Sequence, residues 1–134
     1  MVSKQAPVLV TGASGFVGQA LCARLRAEGV PLRALSRQPA RQTSRQTSPA
    51  SGLIQSPALA ADSDWRTLLA GCASVVHCAA RVHVMADTAT DALATYRAVN
   101  TAGTLALARQ AAAAGVKRFI LLSTIKVHGE ATAP

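Results

Sequence analysis

Hydrophobic residues come along this chain in short unbroken runs, separated by longer stretches in which they recur at helical spacing. Pro7 to Thr11 reads Pro-Val-Leu-Val-Thr, the β-branched apolar run expected of a strand buried on both faces of its sheet. Glycines follow. From Gly15 to Glu28 the residues Phe16, Val17, Ala20, Leu21 and Leu25 fall on one predicted helix face, and Gly29 stands as the stop. Pro31 to Ser36 reads as a second strand and Gly52 to Gln55 as a third. Asp62, Ser63 and Asp64 are candidate N-caps for a short helix through Trp65, Leu68 and Leu69 that Gly71 closes. Ser74 to Ala79 is the fourth predicted strand. Asp87 or Asp91 opens a long helix through Leu93, Tyr96, Val99, Leu105 and Leu107 that runs to Gly115, and Arg118 to Ser123 is the fifth strand. The order β-α-β-β-α-β-α-β, with apolar strands and crossover helices, predicts an α/β fold with a doubly wound parallel sheet in a single domain, residues 1–134.

Gln38 to Ser51 interrupts the pattern. It consists of Pro, Ser, Thr, Gln, Ala and Arg, with Arg-Gln-Thr-Ser at 41–44 and again at 45–48, and reads as a mobile loop whose duplication is a local insertion rather than a repeat architecture. Half the residues are hydrophobic, but alanine alone supplies about a fifth of the chain, so the composition provides one modest core. Aromatics are only 3%, too few for a base-stacking nucleic-acid platform. No apolar stretch reaches the ~20 residues needed to cross a bilayer, and Met1 to Pro7 lacks a signal core, so a cytoplasmic protein with no membrane partner is expected. Cys22, Cys72 and Cys78 show neither CxxC nor Cys/His ligand spacing; they read as buried small hydrophobes, with no metal and no disulfide framework.

Charge adds a further clue. The chain carries 14 Lys and Arg against 6 acids, a net +8, and the arginines concentrate between Arg24 and Arg45, where Glu28 alone opposes them. That cluster suits an anionic ligand. A general nucleic-acid surface is the rival, but no helix-turn-helix or zinc-finger pattern surrounds it; a solvated basic face is the plainer alternative.

Where the first strand turns into the first helix, Gly12, Gly15 and Gly18 stand three residues apart. Gly12 permits the turn, Gly15 lets the backbone approach a pyrophosphate, and Gly18 lets the helix pack closely. The helix N-terminus then offers unpaired N–H groups and partial positive charge to phosphates. The preceding strand and following helix favour nucleotide binding over a merely structural glycine turn. The spacing is not GxGxxG, and no Lys-Ser/Thr pair of a P-loop follows, which disfavours a nucleotide triphosphatase.

Thr11-Gly12-x-x-Gly15-x-x-Gly18 resembles the signature of the extended short-chain dehydrogenase/reductase family, the NAD(P)-dependent nucleotide-sugar epimerases and dehydratases. Three more segments agree in order: Val75-Val76-His77-Cys78-Ala79-Ala80 resembles its fourth strand, Val99-Asn100-Thr101-Ala102-Gly103-Thr104 its long helix, and Ser123-Thr124-Ile125-Lys126-Val127-His128-Gly129 its Ser-Ser-x-x-Val-Tyr-Gly. The resemblance spans essentially the whole chain and is nearest to a UDP-sugar 4-epimerase or a related sugar reductase. It implies a Rossmann-like sheet in which Gly12, Ser14, Gly15, Phe16 and Gly18 hold the pyrophosphate. Ala79, Ala80 and Arg81 would line the cofactor, and Asn100 would reach it from the long helix. Ser123 would lie beside the nicotinamide and Thr124 would hydrogen-bond the reacting sugar hydroxyl, as the one catalytic residue present; both could instead satisfy local backbone groups at a strand end. The substrate implied for the full-length enzyme is a nucleotide sugar.

The chain also departs from that pattern. NAD-preferring folds place an acid about 20 residues past the glycine turn to bind the ribose 2′-hydroxyl. Here the second strand ends in Ser36-Arg37, a guanidinium suited to a 2′-phosphate, so NADP is expected ahead of NAD, with Arg41 as a further contact; alternatively Arg37 is simply solvated. The acid the family places after the third strand is replaced by Ala58, leaving Leu59 to meet the adenine end through backbone and apolar contact. The family's Tyr-x-x-x-Lys, in which Lys tunes the tyrosine as general base, is expected beyond strand five and does not occur in these residues: the single tyrosine, Tyr96, is followed by Asn100. His77 sits within a strand, and His83 and His128 read as loop or surface residues. The expectation is a domain truncated after its fifth strand, inactive on its own, with apolar sheet surface left open to self-association. The alternative from another class is a non-catalytic NADPH-binding or docking module.

Overall fold

The computed structural model describes residues 5–37, 52–82 and 90–129. The expected loop at 38–51, with its duplicated tetrapeptide and Arg41, lies outside those residues, as do His83 and Asp87. Five strands, β1 (Val8–Thr11), β2 (Leu32–Ser36), β3 (Leu53–Gln55), β4 (Ser74–His77) and β5 (Arg118–Leu121), form one sheet. All are parallel, in the order β3-β2-β1-β4-β5. In the central strand Val8 faces Leu32 on one side and Ser74 on the other. The chain winds outward from β1 in both directions, so the crossovers reverse between β1 and β4.

The unbroken apolar runs are explained by two cores. Leu9, Leu35 and Val75 point to one face and pack with Leu59, Trp65, Leu69, Leu107 and Ala111. Their neighbours Val10 and Ala34 point to the other and pack with Ala13 and Cys22. Strands covered on both faces alternate between two apolar environments, so in β1 no polar residue marks the alternation, and in β2 Arg33 alone breaks the run.

Helix α1 (Phe16–Ala27) buries a different stripe from the predicted one. Gly18 and Cys22 are buried and Leu21 and Leu25 pack beside them, whereas Phe16 is 97% exposed and Val17 44%. Phe16 and Val17 belong to the first turn of α1, directly after the glycines that end β1, and of that turn only Gly18 is buried. Helix α2 (Arg66–Leu69) is one turn long; Asp64 accepts from the Arg66 N–H at 3.0 Å, and Arg33 Nη1 on β2 donates to the Leu68 and Ala70 carbonyls at 2.7 and 2.6 Å.

The predicted long helix is present but not uniform. It comprises α3 (Ala92–Tyr96), a π-helical stretch (Arg97–Gly103) and α4 (Thr104–Ala113). Asp91 caps its start, accepting from the Ala94 N–H at 2.9 Å. A Cβ at Gly103 would sit 2.7 Å from Leu59 carbon atoms, so the glycine lets the helix close onto Leu59. Gln110 on α4 accepts the Trp65 backbone N–H at 2.8 Å and donates to the Ser63 carbonyl at 2.7 Å. On the β5 side Ile120, Leu121 and Leu122 are 44%, 54% and 49% exposed, the open apolar surface expected there. Among the described residues no helix is long and apolar enough to cross a membrane.

Candidate dinucleotide site

The glycine turn is shaped by backbone on both sides. Gly12 has φ +66°, and a Cβ there would lie 2.8 Å from the Ala79 nitrogen and 2.9 Å from the Cys78 carbonyl carbon. At Gly18 a Cβ would lie 2.0 Å from the Gly12 oxygen, so this glycine packs α1 onto the turn itself. The Ala13 N–H donates to the Leu35 carbonyl at 2.9 Å and the Gly15 N–H to Gly12 O at 3.0 Å. Ser14 Oγ and Ser36 Oγ lie 2.9 Å apart, joining the turn to the end of β2. Gln19 N–H to Gly15 O, 2.9 Å, is the first intrahelical bond of α1. The N–H groups of Phe16, Val17 and Gly18 therefore have no acceptor within the helix, and no acid occupies its first turn. Such an end attracts anions.

A cleft of about 700 Å³ opens over the C-terminal ends of β1, β2 and β4. Gly12, Ser14, Gly15, Phe16 and Gly18 border it from the turn, Ser36 and Arg37 from β2, Leu59 from the segment after β3, and Ala79 and Ala80 from the segment after β4. The other expected site residues do not border it. Asn100 directs its amide at the backbone of Arg81, its Oδ1 accepting from the Arg81 N–H at 2.8 Å and its Nδ2 donating to the Arg81 carbonyl at 3.0 Å. It steadies the cleft wall instead of entering the cleft. The Arg81 guanidinium lies over the Tyr96 ring, 5.3 Å from its centroid. Leu122 borders the cleft, but Ser123 and Thr124 follow beyond it; Thr124 Oγ1 accepts from the Lys126 N–H at 3.3 Å and opens the 3₁₀ turn Ile125–His128. That bond is the local role weighed for it from sequence.

Sequence reasoning did not assign Trp65 to the cleft, which it lines while 2% exposed; a lone tryptophan in a helical pattern carries no signal separating core from ligand wall. Cys78 lines the cleft as well. Burial pushes all three thiols above their ordinary value, which leaves none poised as a reactive thiolate.

His77, 1% exposed, lies beneath the cleft between two hydroxyls. Its Nδ1 is 2.6 Å from Thr11 Oγ1 and its Nε2 is 2.9 Å from Thr104 Oγ1. Thr11 Oγ1 also accepts from the Ala79 N–H at 3.2 Å. Burial holds the imidazole below the ordinary histidine range, so it is neutral at pH 7.

A glycine turn feeding an uncapped helix N-terminus, at the point where the crossovers of a parallel sheet reverse, defines a dinucleotide-binding Rossmann domain. The cradle left without Cβ atoms, the three N–H groups and a cleft size within the usual ligand range fit such a cofactor. Residues 8–134 match the NAD dependent epimerase/dehydratase family, and the chain belongs to it. It is 56% identical over 72 residues to a UDP-glucose 4-epimerase of Vibrio cholerae, a match covering 54% of this chain and 22% of that protein. Among solved structures it is similar to MoeE5 in complex with UDP-glucose and NAD, with 30% identity, TM-score 0.73, and 93% of this chain against 38% of that one covered. A short-chain dehydrogenase/reductase superfamily protein from Agrobacterium tumefaciens with bound NAD gives 29% identity, TM-score 0.72, and 92% against 34% covered. The chain thus spans well under half the length of these relatives.

Proposed function

We propose that these residues form the cofactor-binding part of an NAD(P)-dependent nucleotide-sugar epimerase acting at the sugar C4. The observation that carries the reading is the glycine turn: Phe16, Val17 and Gly18, whose N–H groups have no acceptor among the described residues, border a cleft at the switch point of the sheet. The epimerase assignment is supported by the similarity to the Vibrio cholerae protein. When bound, the nicotinamide supplies hydride exchange with the substrate carbon. The protein's own part is to bind and orient: the turn and the α1 N-terminus neutralise pyrophosphate charge, Leu59 and Trp65 wall the apolar end of the cleft, and Asn100 fixes the Arg81 backbone. Thr124 Oγ1 accepts from the Lys126 N–H and keeps its own O–H free to donate to a sugar hydroxyl. These residues contain no Tyr-x-x-x-Lys, and the Tyr96 ring is engaged by Arg81; the part read for them is to bind the cofactor. A nucleotide-sugar reductase is the second reading, favoured by the basic end of β2.

Arg37 supports NADP as the cofactor. It follows the last residue of β2, borders the cleft, and stands where an NAD-selective fold needs an acid. Side-by-side fluorescence titrations of the folded chain with NADPH and NADH should show saturable binding of both and tighter binding of NADPH. Replacing Arg37 by alanine should then narrow the affinity ratio about tenfold, as for loss of a charge-assisted contact. No binding by a chain that is folded by circular dichroism would overturn the cofactor reading. An unchanged ratio in Arg37→Ala would overturn only the NADP preference.

A further inference from the structure

Three segments of chain are tied together through one imidazole, and the hydrogen positions in that contact follow from the donors available. The Ala79 N–H can only donate, so Thr11 Oγ1, 3.2 Å away, accepts from it. Thr11 is buried, and among the described residues His77 Nδ1, 2.6 Å away, is the one partner left for its hydroxyl hydrogen, so the arrangement that leaves no buried hydroxyl hydrogen unpaired has Thr11 donating to a bare Nδ1. A neutral imidazole carries its one proton on the other nitrogen, so Nε2–H donates to Thr104 Oγ1 at 2.9 Å. The backbone of the same residue reaches a fourth segment, the His77 carbonyl accepting from the Leu122 N–H at 3.1 Å.

We propose that His77, as the neutral Nε2–H tautomer, is a positioning residue for the dinucleotide cleft: it turns the Thr11 hydroxyl so that Thr11 holds Ala79, and with it the wall after β4, against the glycine turn. The inference rests on the dinucleotide reading above. Ala79 and Ala80 border the cleft, and the open Cβ direction of Gly12 ends 2.8 Å from the Ala79 nitrogen, so turn and wall are already in contact there. Without an acceptor at His77 the buried Thr11 hydroxyl hydrogen loses its partner, the side chain is no longer held in the rotamer that sets Oγ1 against the Ala79 N–H, and that contact weakens. The side chains that face the imidazole are Thr11 from β1, Thr104 from α4 and Phe119 from β5, whose ring centroid is 6.1 Å away. None of the three is charged. Burial is the cause of the lowered basicity of His77, which keeps the ring singly protonated at neutral pH; the Thr11 hydroxyl decides which nitrogen is bare.

The test compares His77→Asn, whose Oδ1 can take over the acceptor role of Nδ1, with His77→Phe, which keeps the bulk and has no acceptor. NADH titration should place the Asn variant within about threefold of the wild type and the Phe variant about tenfold weaker or worse. Hydrogen exchange at the Ala79 amide should stay slow in the first and become fast in the second. Equal affinities in the two variants, or equal losses, overturn the proposal. Should His77→Phe not fold, the tautomer of the wild type decides the question on its own. Nitrogen-15 spectra of the wild type at neutral pH should show Nδ1 bare; an Nδ1–H tautomer also overturns it. Failure of the folded wild type to bind NADH would sink the dinucleotide reading itself, and the hold of His77 on the wall would still be decided by the Ala79 exchange rates.

Discussion

Replacing Gly18 by alanine is expected to abolish dinucleotide binding. The added methyl would be placed 2.0 Å from the Gly12 oxygen and 2.8 Å from the Gly12 carbonyl carbon. Both are backbone atoms of the turn, so no rotamer change relieves the clash, and α1 must lift off. Lifting it carries the Phe16 and Val17 N–H groups away from the cleft, and each charge-assisted bond to a phosphate is worth about 1.5–3 kcal/mol. Two such losses weaken NADH binding by at least about a hundredfold. The overpacking itself costs about 1–3 kcal/mol of stability, so the variant should still fold. Titration with NADH, alongside circular dichroism, checks both parts; wild-type affinity in a folded Gly18→Ala chain would show that the turn does not hold the cofactor.

The second large effect is expected at Trp65. Its ring is 2% exposed and sits in the core with Leu9, Leu35, Leu59 and Leu107. Truncation to alanine should cost about 3–5 kcal/mol and lower the melting temperature by about 10 °C or more. Phenylalanine should behave very differently. The indole Nε1–H is buried with no hydrogen-bond partner among the described residues, and such a group costs about 1–3 kcal/mol. Trp65→Phe loses ring area but removes that penalty, so the two changes offset and the melting temperature should stay within about 3 °C of the wild type. A Phe variant that melts as low as the Ala variant would show that the indole N–H is satisfied in the folded chain.

The elements most readable from sequence were the strands whose residues pack into both cores. In Val8 to Thr11 a continuous apolar run says so directly, and in Leu32 to Ser36 the run is broken only by Arg33. The buried face of α1 was misread because Phe16 and Val17 are apolar without being core: at the first turn they border a cleft, and hydrophobicity cannot distinguish a core from a ligand wall. The π-helical stretch Arg97–Gly103 has no local signature, and the contact made at its end, Gly103 against Leu59, is with a residue distant in sequence. The glycine turn was legible because three glycines at fixed spacing have a backbone cause. Asn100 was assigned to the cofactor, but its amide has two roles open to it, and only the position of the Arg81 backbone decides between them. His77 looked inert in its strand for a similar reason: its hydroxyl partners are 66 and 27 residues away in sequence.

The pairing of β1 with β4 also bears on how the chain folds. Thr11 and His77, 66 residues apart, face each other across the seam over which the cleft opens. Closing a loop of that length precedes any reward from the contacts it makes, which slows parallel sheets relative to folds built from local contacts. The β1–β2 half can assemble early from nearby residues, but the wall after β4 is absent until the long loop closes. A dinucleotide therefore meets a complete cleft only in the finished sheet, and its binding energy is felt as resistance to unfolding rather than as help in nucleating the fold.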